Sequence, residues 1–114
     1  MSLITTHVLD VSLGRPAANV PVILEAQSAA GAWTEAARGA TDVDGRLRDW
    51  PAASKSLPVG VYRLNFDTRA YFAARQVTTL YPQVSIVFEV RDAQEHYHIP
   101  LLLSPFGYST YRGS

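Results

Sequence analysis

The chain has 114 residues, of which 47% are hydrophobic and 18% are charged, so it can bury one core and is not disordered. Ten basic residues balance ten acidic ones, which excludes the basic excess typical of nucleic-acid or anionic-membrane binding. There is no cysteine for disulfides or thiolate zinc ligands, and no apolar stretch approaches the roughly 20 residues of a membrane span.

The length predicts a single domain over residues 1–114. Because Met1 opens the chain without the layout of a secretory signal, we expect a cytoplasmic rather than a periplasmic protein.

Alternation of apolar and polar residues is the strongest pattern along the chain. It predicts about eight short strands, at 3–10, 20–26, 33–38, 46–48, 61–67, 83–90, 97–103 and 108–112. Only the alanine-rich segment 68–76 has the composition of a short helix. Short strands separated by frequent turns are typical of an all-β, two-sheet antiparallel sandwich, here with one short helix.

The predicted strands 83–90 and 108–112 carry no feature that protects a sheet edge. Neither contains proline, lysine or a recognisable bulge. Two explanations are open: the edges pair with a second subunit, or loops of the same chain cover them.

Three histidines, His7, His96 and His98, are candidates for chemistry. The i, i+2 spacing of His96 and His98 puts both on one face of a strand, where they could chelate zinc with His7 as a third ligand. The alternative is that they are structural or exposed residues. No further ligand lies nearby in the sequence, which disfavours zinc.

The sequence supports neither a calcium-binding loop nor a serine triad. Asp42-x-Asp44-Gly45 resembles part of a calcium loop, but the first ligand position would be Ala40 and the bidentate acid would be Pro51. A tight turn is the better interpretation. The serines lie in no Gly-x-Ser-x-Gly elbow, so a serine triad has no sequence support.

The motifs at both ends of the chain resemble those of the transthyretin family. His-Val-Leu-Asp at 7–10, followed by Gly14-x-Pro16-Ala17, is similar to the family's opening signature. Tyr-His-Ile-Pro-Leu-Leu-Leu-Ser-Pro-Phe-Gly-Tyr-Ser at 97–109 is similar to its closing signature. The resemblance covers nearly the whole chain and includes the helix between strands.

Within that family the chain resembles the enzymatic branch, the 5-hydroxyisourate hydrolases, and not the hormone carriers. It has His7, Arg46 and His98 where the carriers have lysine, an acidic residue and threonine. It also ends in Tyr-Arg-Gly-Ser, which is typical of the hydrolases, whereas the carriers continue further. The resemblance implies hydrolysis of 5-hydroxyisourate to 2-oxo-4-hydroxy-4-carboxy-5-ureidoimidazoline in urate degradation.

The resemblance also implies an assembly. Two four-stranded sheets would form each subunit, subunits would pair through edge strands, and two such dimers would form a homotetramer. The active sites would lie at the dimer–dimer interface. No metal and no organic cofactor is expected.

The implied roles fit the residue types. His7 and His98 are assigned to water activation and proton transfer, and which of them is the base stays open. Arg46 offers a planar fork of donors to the flat ring and its oxygens. Tyr111 is expected to contact substrate. Ser114, through its hydroxyl or a terminal carboxylate, is expected to orient a histidine.

Two residues next to these in the sequence are expected to take no part in the reaction. Arg112 points opposite to Tyr111 on an ideal strand, so we expect a structural role for it. The resemblance, and not periodicity, excludes His96 from the site.

Overall fold

The computed structural model describes residues 4–50 and 57–114. Leu3 and Pro51, which entered the predictions above, lie outside this part of the chain. The described elements follow one another as β1 (Ile4–Asp10), β2 (Arg15–Pro16), β3 (Pro21–Gln27), β4 (Trp33–Ala40), β5 (Arg46–Leu47), β6 (Gly60–Phe66), α1 (Thr68–Ala74), β7 (Val84–Val90), β8 (Tyr97–Ser104) and β9 (Gly107–Thr110).

The strands form two sheets, which confirms the all-β sandwich with one short helix. The larger sheet has the order β2-β1-β8-β9, with β5 also paired to β1, and the smaller has the order β4-β3-β6-β7. One pairing departs from a purely antiparallel arrangement, because β1 and β8 run parallel. These strands lie near opposite ends of the chain, so no hairpin constrains their relative direction.

The larger sheet has five strands instead of the four that the resemblance implied. The extra strand is β2, which is absent from the eight strands predicted from the sequence. Gly14 adopts a left-handed backbone with φ of 67°, and the chain then folds back on β1. Pro16 pairs with Leu9, and Arg15 pairs with Asp10. A two-residue strand is too short for alternation to reveal.

The core lies between the sheets and follows the predicted alternation. Leu64 and Phe66 of β6 are fully buried, as are Leu101 and Leu103 of β8. On β6 the polar neighbours Arg63 and Asn65 are only half-buried and lie on the opposite face, as period-two patterning requires. Both strands that lacked edge protection, β7 and β9, end their sheets in the order described above.

Helix α1 is short and is fixed by its N-cap. The Asp67 carboxylate accepts a hydrogen bond from the Ala70 amide, and Thr68, Tyr71 and Phe72 are buried against the sandwich. Among the described residues, no helix is long and apolar enough to cross a membrane.

A buried carboxylate ties α1 to the end of β1. Asp10 is completely buried, and its Oδ1 accepts hydrogen bonds from Ser12 N, Ser12 Oγ and Leu13 N. Its Oδ2 accepts from Tyr71 Oη at 2.7 Å and from Arg75 Nη1 at 3.0 Å. Burial raises the pKa of Asp10, but the hydrogen bonds outweigh burial and hold the pKa below its ordinary value. Burial and the bond to Asp10 raise the pKa of Tyr71 to about 12.

We expect Asp10→Asn to lower the free energy of unfolding by about 2 to 4 kcal/mol at neutral pH, because Arg75 and Tyr71 lose a charged acceptor. Since the folded pKa of Asp10 is depressed, its contribution is present above the unfolded value and disappears as pH falls through the folded pKa. Urea unfolding should therefore show the two proteins converging below about pH 3.8. A difference that is constant with pH would contradict this explanation.

Candidate active site

The histidines predicted from sequence meet on the outer face of the larger sheet. Thr5 and His7 alternate along β1 with Ile4, Thr6 and Val8, so their side chains lie on the opposite face of the sheet, where His7 is half-buried and Thr5 is covered by its neighbours. In the parallel pairing of β1 with β8, Thr5 lies opposite His98 and His7 lies opposite Pro100. The pairing therefore brings residues from the two ends of the sequence onto one surface.

A tight turn places Arg46 beside His7. The Asp42 carboxylate accepts hydrogen bonds from the amides of Asp44 and Arg46, each at 2.9 Å. Gly45 has φ of 76°, and a Cβ atom there would collide with the carbonyl oxygen of Val8. The turn therefore needs glycine, as the sequence indicated, and the Asp42 carboxylate holds the backbone. Arg46 then pairs with His7 across β5 and β1.

A cleft of about 160 Å³, lined by polar and charged residue types, opens on this face. Three predicted site residues and four others line it: Thr5, Thr6, Arg46, Arg48, His96, His98 and Ser114. Arg46, His98 and Ser114 are thus brought together. A larger cavity of about 490 Å³ lies on the smaller sheet, but its lining, which includes Arg38, Asp67 and Arg69, has no histidine.

The placement of His96 differs from the prediction. It was expected outside the site, yet it lines the cleft, and its ring centroid lies 6.2 Å from that of His98. Both rings reach the same side chain, since Thr5 Oγ1 lies 2.8 Å from His96 Nε2 and 2.8 Å from His98 Nδ1. The reason is that His96 directly precedes β8 and keeps the orientation of His98 two residues later.

His7 lies next to the cleft with a defined proton position. Its Nε2 is 2.9 Å from the Asp44 carbonyl oxygen, which can only accept, so Nε2 carries a hydrogen. In the neutral ring, the free lone pair is therefore on Nδ1. Burial and then Arg46 lower the pKa of His7 below its ordinary value, against the opposing effects of the Asp44 carbonyl and the Asp42 and Asp44 carboxylates.

His98 is half-buried and is also biased toward its neutral form. Burial is the largest cause of its lowered pKa, followed by repulsion from His96, Arg46 and His7. A ring that is neutral near pH 7 can accept a proton, which is the requirement for a general base.

Backbone and side-chain contacts of Arg112 and Gly113 hold the C-terminal residues against β8, next to His98. The Gly113 amide donates to the His98 carbonyl at 2.8 Å and forms an isolated bridge with that residue. The Arg112 guanidinium donates to Glu95 and to the His96 carbonyl and lies 4.5 Å from the Tyr97 ring centroid. These contacts agree with a structural role for Arg112, which stays a prediction.

Tyr111 does not line the cleft within one chain. Its side chain is 57% exposed, and its contact with substrate stays a prediction.

Gly113 is a site residue that sequence reasoning missed. A Cβ atom at this position would lie 2.5 Å from Cδ2 of the His98 ring and 3.2 Å from Cγ of Pro100. Only glycine lets the tail pass this close to the histidine.

We therefore expect Gly113→Ala to displace the His98 ring and to lower catalytic turnover by about tenfold or more, because catalytic groups tolerate little misplacement. The effect on folding should be small, since the tail is exposed on its other side. Turnover and the thermal midpoint should be compared with those of Gly107→Ala, where a Cβ would meet only Ser104 Oγ at 3.7 Å. Wild-type turnover in Gly113→Ala would contradict this role.

Thr5 and Arg48 were also missed. A threonine on a strand carries no sequence signal of its own, and its importance emerges only from the pairing of β1 with β8. Within residues 4–50 and 57–114, no three His, Cys, Asp or Glu side chains form a group that could hold a metal ion. The described residues therefore offer no geometry for the zinc alternative.

The fold and the cleft together define a transthyretin-like sandwich with a polar, histidine-bearing outer face. The sequence model described as the HIUase/Transthyretin family matches residues 4–113, and the chain belongs to this family.

The chain is similar both to 5-hydroxyisourate hydrolases and to a transthyretin. The 5-hydroxyisourate hydrolase of Salmonella dublin is 43% identical over 114 residues, which is 99% of this chain and 82% of the relative. The solved 5-hydroxyisourate hydrolase of Klebsiella pneumoniae is 37% identical, with a TM-score of 0.83 and coverage of 97% and 98%. Sea bream transthyretin in complex with thyroxine is 34% identical, with a TM-score of 0.89 and coverage of 96% and 93%. Because the hydrolase and the thyroxine-bound transthyretin share the fold, the side chains of the cleft must distinguish them.

Proposed function

We propose that this protein hydrolyses 5-hydroxyisourate to 2-oxo-4-hydroxy-4-carboxy-5-ureidoimidazoline, a step of urate degradation. The observation that carries the proposal is the cleft in which Arg46 lies with His98, next to His7. The identity to proteins named 5-hydroxyisourate hydrolase, over nearly the whole chain, supports the same substrate.

The proposed chemistry is the opening of a cyclic acyl–nitrogen bond by water. The reaction needs a base that takes a proton from water, donors for the oxyanion that develops on the carbonyl, and an acid for the leaving nitrogen. His98 and His7 supply neutral imidazoles, and Arg46 supplies a fork of donors for the oxygens of the flat ring. Ser114, which lines the cleft, can orient His98 or a water molecule. These groups suffice without a metal or organic cofactor.

The two histidines would act through different nitrogens. His7 keeps its Nε2 hydrogen on the Asp44 carbonyl, so it would work through Nδ1. His98 has its Nδ1 on Thr5, so it would work through Nε2. His98 lines the cleft and His7 lies beside it, so we assign His98 as the base, with His7 assisting proton transfer.

We also propose a homotetramer, built as a dimer of dimers. Strands β7 and β9 end their sheets and can pair with a second copy. The outer face of the larger sheet would then meet a second dimer, which would close the cleft and bring Tyr111 to substrate. A cytoplasmic location stays a prediction.

The alternative function is that of a carrier for a flat apolar ligand, which the thyroxine complex of the sea bream relative suggests. The lining of this cleft disfavours it, because two arginines and two histidines would have to be desolvated by an apolar ligand.

The pH dependence of turnover follows from the state of the histidines. The active base is neutral, and burial and Arg46 lower the pKa of both His7 and His98. We expect kcat/KM to fall as the pH drops, with a midpoint below about 6.5, the ordinary histidine value. Initial rates corrected for spontaneous decay at each pH would measure it. A flat profile from about pH 4 to pH 8 would contradict a histidine base.

The reaction class can be tested by product labelling in ¹⁸O-water with a strong chelator present. We expect the protein to speed formation of the carboxylate product, with one heavy oxygen in its new carboxyl group. A carrier would bind the substrate without accelerating label incorporation, and a zinc hydrolase would lose activity to the chelator.

A further inference from the structure

The Thr5 hydroxyl lies between two imidazole rings of the cleft. Its Oγ1 is 2.8 Å from His98 Nδ1 and 2.8 Å from His96 Nε2, and both are hydrogen-bond distances. Thr5 is 5% exposed, so water does not readily replace these contacts. His98 is half-buried, whereas His96 is exposed at the start of β8.

The single hydrogen of the Thr5 hydroxyl limits how the three side chains can be hydrogen-bonded. A hydroxyl has one hydrogen, so Thr5 can donate to only one ring and must accept from the other. If His98 Nδ1 donates to Thr5, then Thr5 donates to His96 Nε2, and the neutral His98 ring has its free lone pair on Nε2. The reverse arrangement puts a hydrogen on His98 Nε2 and leaves no free lone pair for a base.

We propose that Thr5 is a positioning residue that joins His98 to His96 in a proton relay, so that His96 stores the charge while the reaction intermediate exists. This inference rests on the proposed hydrolysis, with His98 as base. It assigns a role to a threonine and to a histidine that sequence reasoning left outside the site.

The relay is balanced in protons. When His98 Nε2 takes a proton from the attacking water, its Nδ1 hydrogen moves to the Thr5 oxygen, and the Thr5 hydrogen moves to His96 Nε2. Thr5 is again a neutral hydroxyl, His98 is a neutral ring protonated at Nε2, and His96 is an imidazolium. When His98 Nε2 donates its proton to the leaving nitrogen, the same transfers run backward.

The direction of the relay follows from the surroundings of the two rings. An imidazolium on His98 would be half-buried and would face Arg46 from β5 and His7 from β1, with Arg48 and Ser114 also lining the cleft. An imidazolium on His96 would be exposed to water. Moving the charge from the half-buried ring of His98 to the exposed ring of His96 therefore lowers the cost of desolvation.

Three variants test the relay: Thr5→Val, which keeps the shape and removes the hydroxyl, Thr5→Ser, which keeps the hydroxyl, and His96→Gln, which cannot take a proton. We expect Thr5→Val to lower kcat about tenfold, and Thr5→Ser to stay near the wild type. The apparent pKa of the acidic limb should fall in Thr5→Val, because imidazolium His98 loses its acceptor at Nδ1. The double variant Thr5→Val with His96→Gln should be no slower than the slower single variant.

Several outcomes would overturn the relay. They are a Thr5→Val enzyme with wild-type kcat and pH profile, or effects of Thr5→Val and His96→Gln that multiply. If Thr5→Val does not fold, imidazole ¹⁵N spectra of the wild type decide: hydrogens on His98 Nδ1 and His96 Nδ1 support the relay, and one on His96 Nε2 in the neutral state contradicts it. A wild type that does not accelerate the reaction would instead overturn the proposed function.

Discussion

His98→Asn and Arg46→Lys are expected to lower turnover of 5-hydroxyisourate by on the order of a hundredfold or more, the usual cost of losing a base or an oxyanion donor. Asparagine keeps a polar side chain opposite Thr5 but cannot accept a proton. Lysine keeps the charge of Arg46 but loses the planar fork that can bind two oxygens at once. Steady-state rates at neutral pH, corrected for spontaneous decay of the substrate, would measure both effects.

The matched control for the arginine is Arg38→Lys. Arg38 forms an exposed ion pair with Glu35 on the smaller sheet, away from the cleft, and its replacement should leave the rate unchanged. All variants should be compared at equal oligomeric state and equal thermal midpoint. His98→Asn within threefold of the wild type would remove His98 from the reaction. Because His96 would act only through Thr5, His96→Gln should cost much less than His98→Asn.

Changes at the end of the chain are expected to have the second largest effect. Ser114 lines the cleft, and Gly113 is hydrogen-bonded to His98, so residues added after Ser114 would have to leave through the cleft itself. Deleting residues 111–114 would remove the bridge to His98 and the Arg112 contacts. We expect either change to abolish most turnover while the sandwich stays folded, since the core between the sheets is untouched.

A tag of the same sequence placed before Met1 is the matched control for the tag after Ser114. Turnover, circular dichroism and tetramer content should be measured on both preparations. If Tyr111–Ser114 were only a frayed tail, the two tagged proteins would be equally active. Equal activity would therefore remove Ser114 from the mechanism, whereas loss confined to the C-terminal tag would support its role. Ser114→Ala then separates the hydroxyl from the backbone, because only the hydroxyl is lost.

The regular strands could be predicted from sequence because burial alternates along them. Residues 84–90 illustrate this, since Val84, Ile86 and Val90 are buried as the period-two pattern requires. The two-residue strand β2 could not be predicted, because it forms only when Gly14 turns the chain back onto β1. The parallel direction of β1 and β8 was also hidden, since alternation identifies a strand but not its partner.

The candidate site was predictable where residue chemistry and family motifs coincide, as at His98 and Arg46. The site was not predictable at residues whose role depends on their three-dimensional placement and not on their chemistry. Thr5 gains its role from lying opposite His98 in another strand, and Gly113 from the closeness of its backbone to the same ring. His96 lines the cleft and shares Thr5 with His98, and the resemblance, applied alone, took no account of this shared hydrogen-bond partner.

The most direct test of the central claim is the initial rate at which freshly made 5-hydroxyisourate loses its ultraviolet absorbance at neutral pH. The wild-type protein, at low concentration and in a strong chelator, should accelerate this loss far above the spontaneous rate in the same buffer. A rate equal to that of buffer alone, from protein that is folded and fully assembled, would contradict the account.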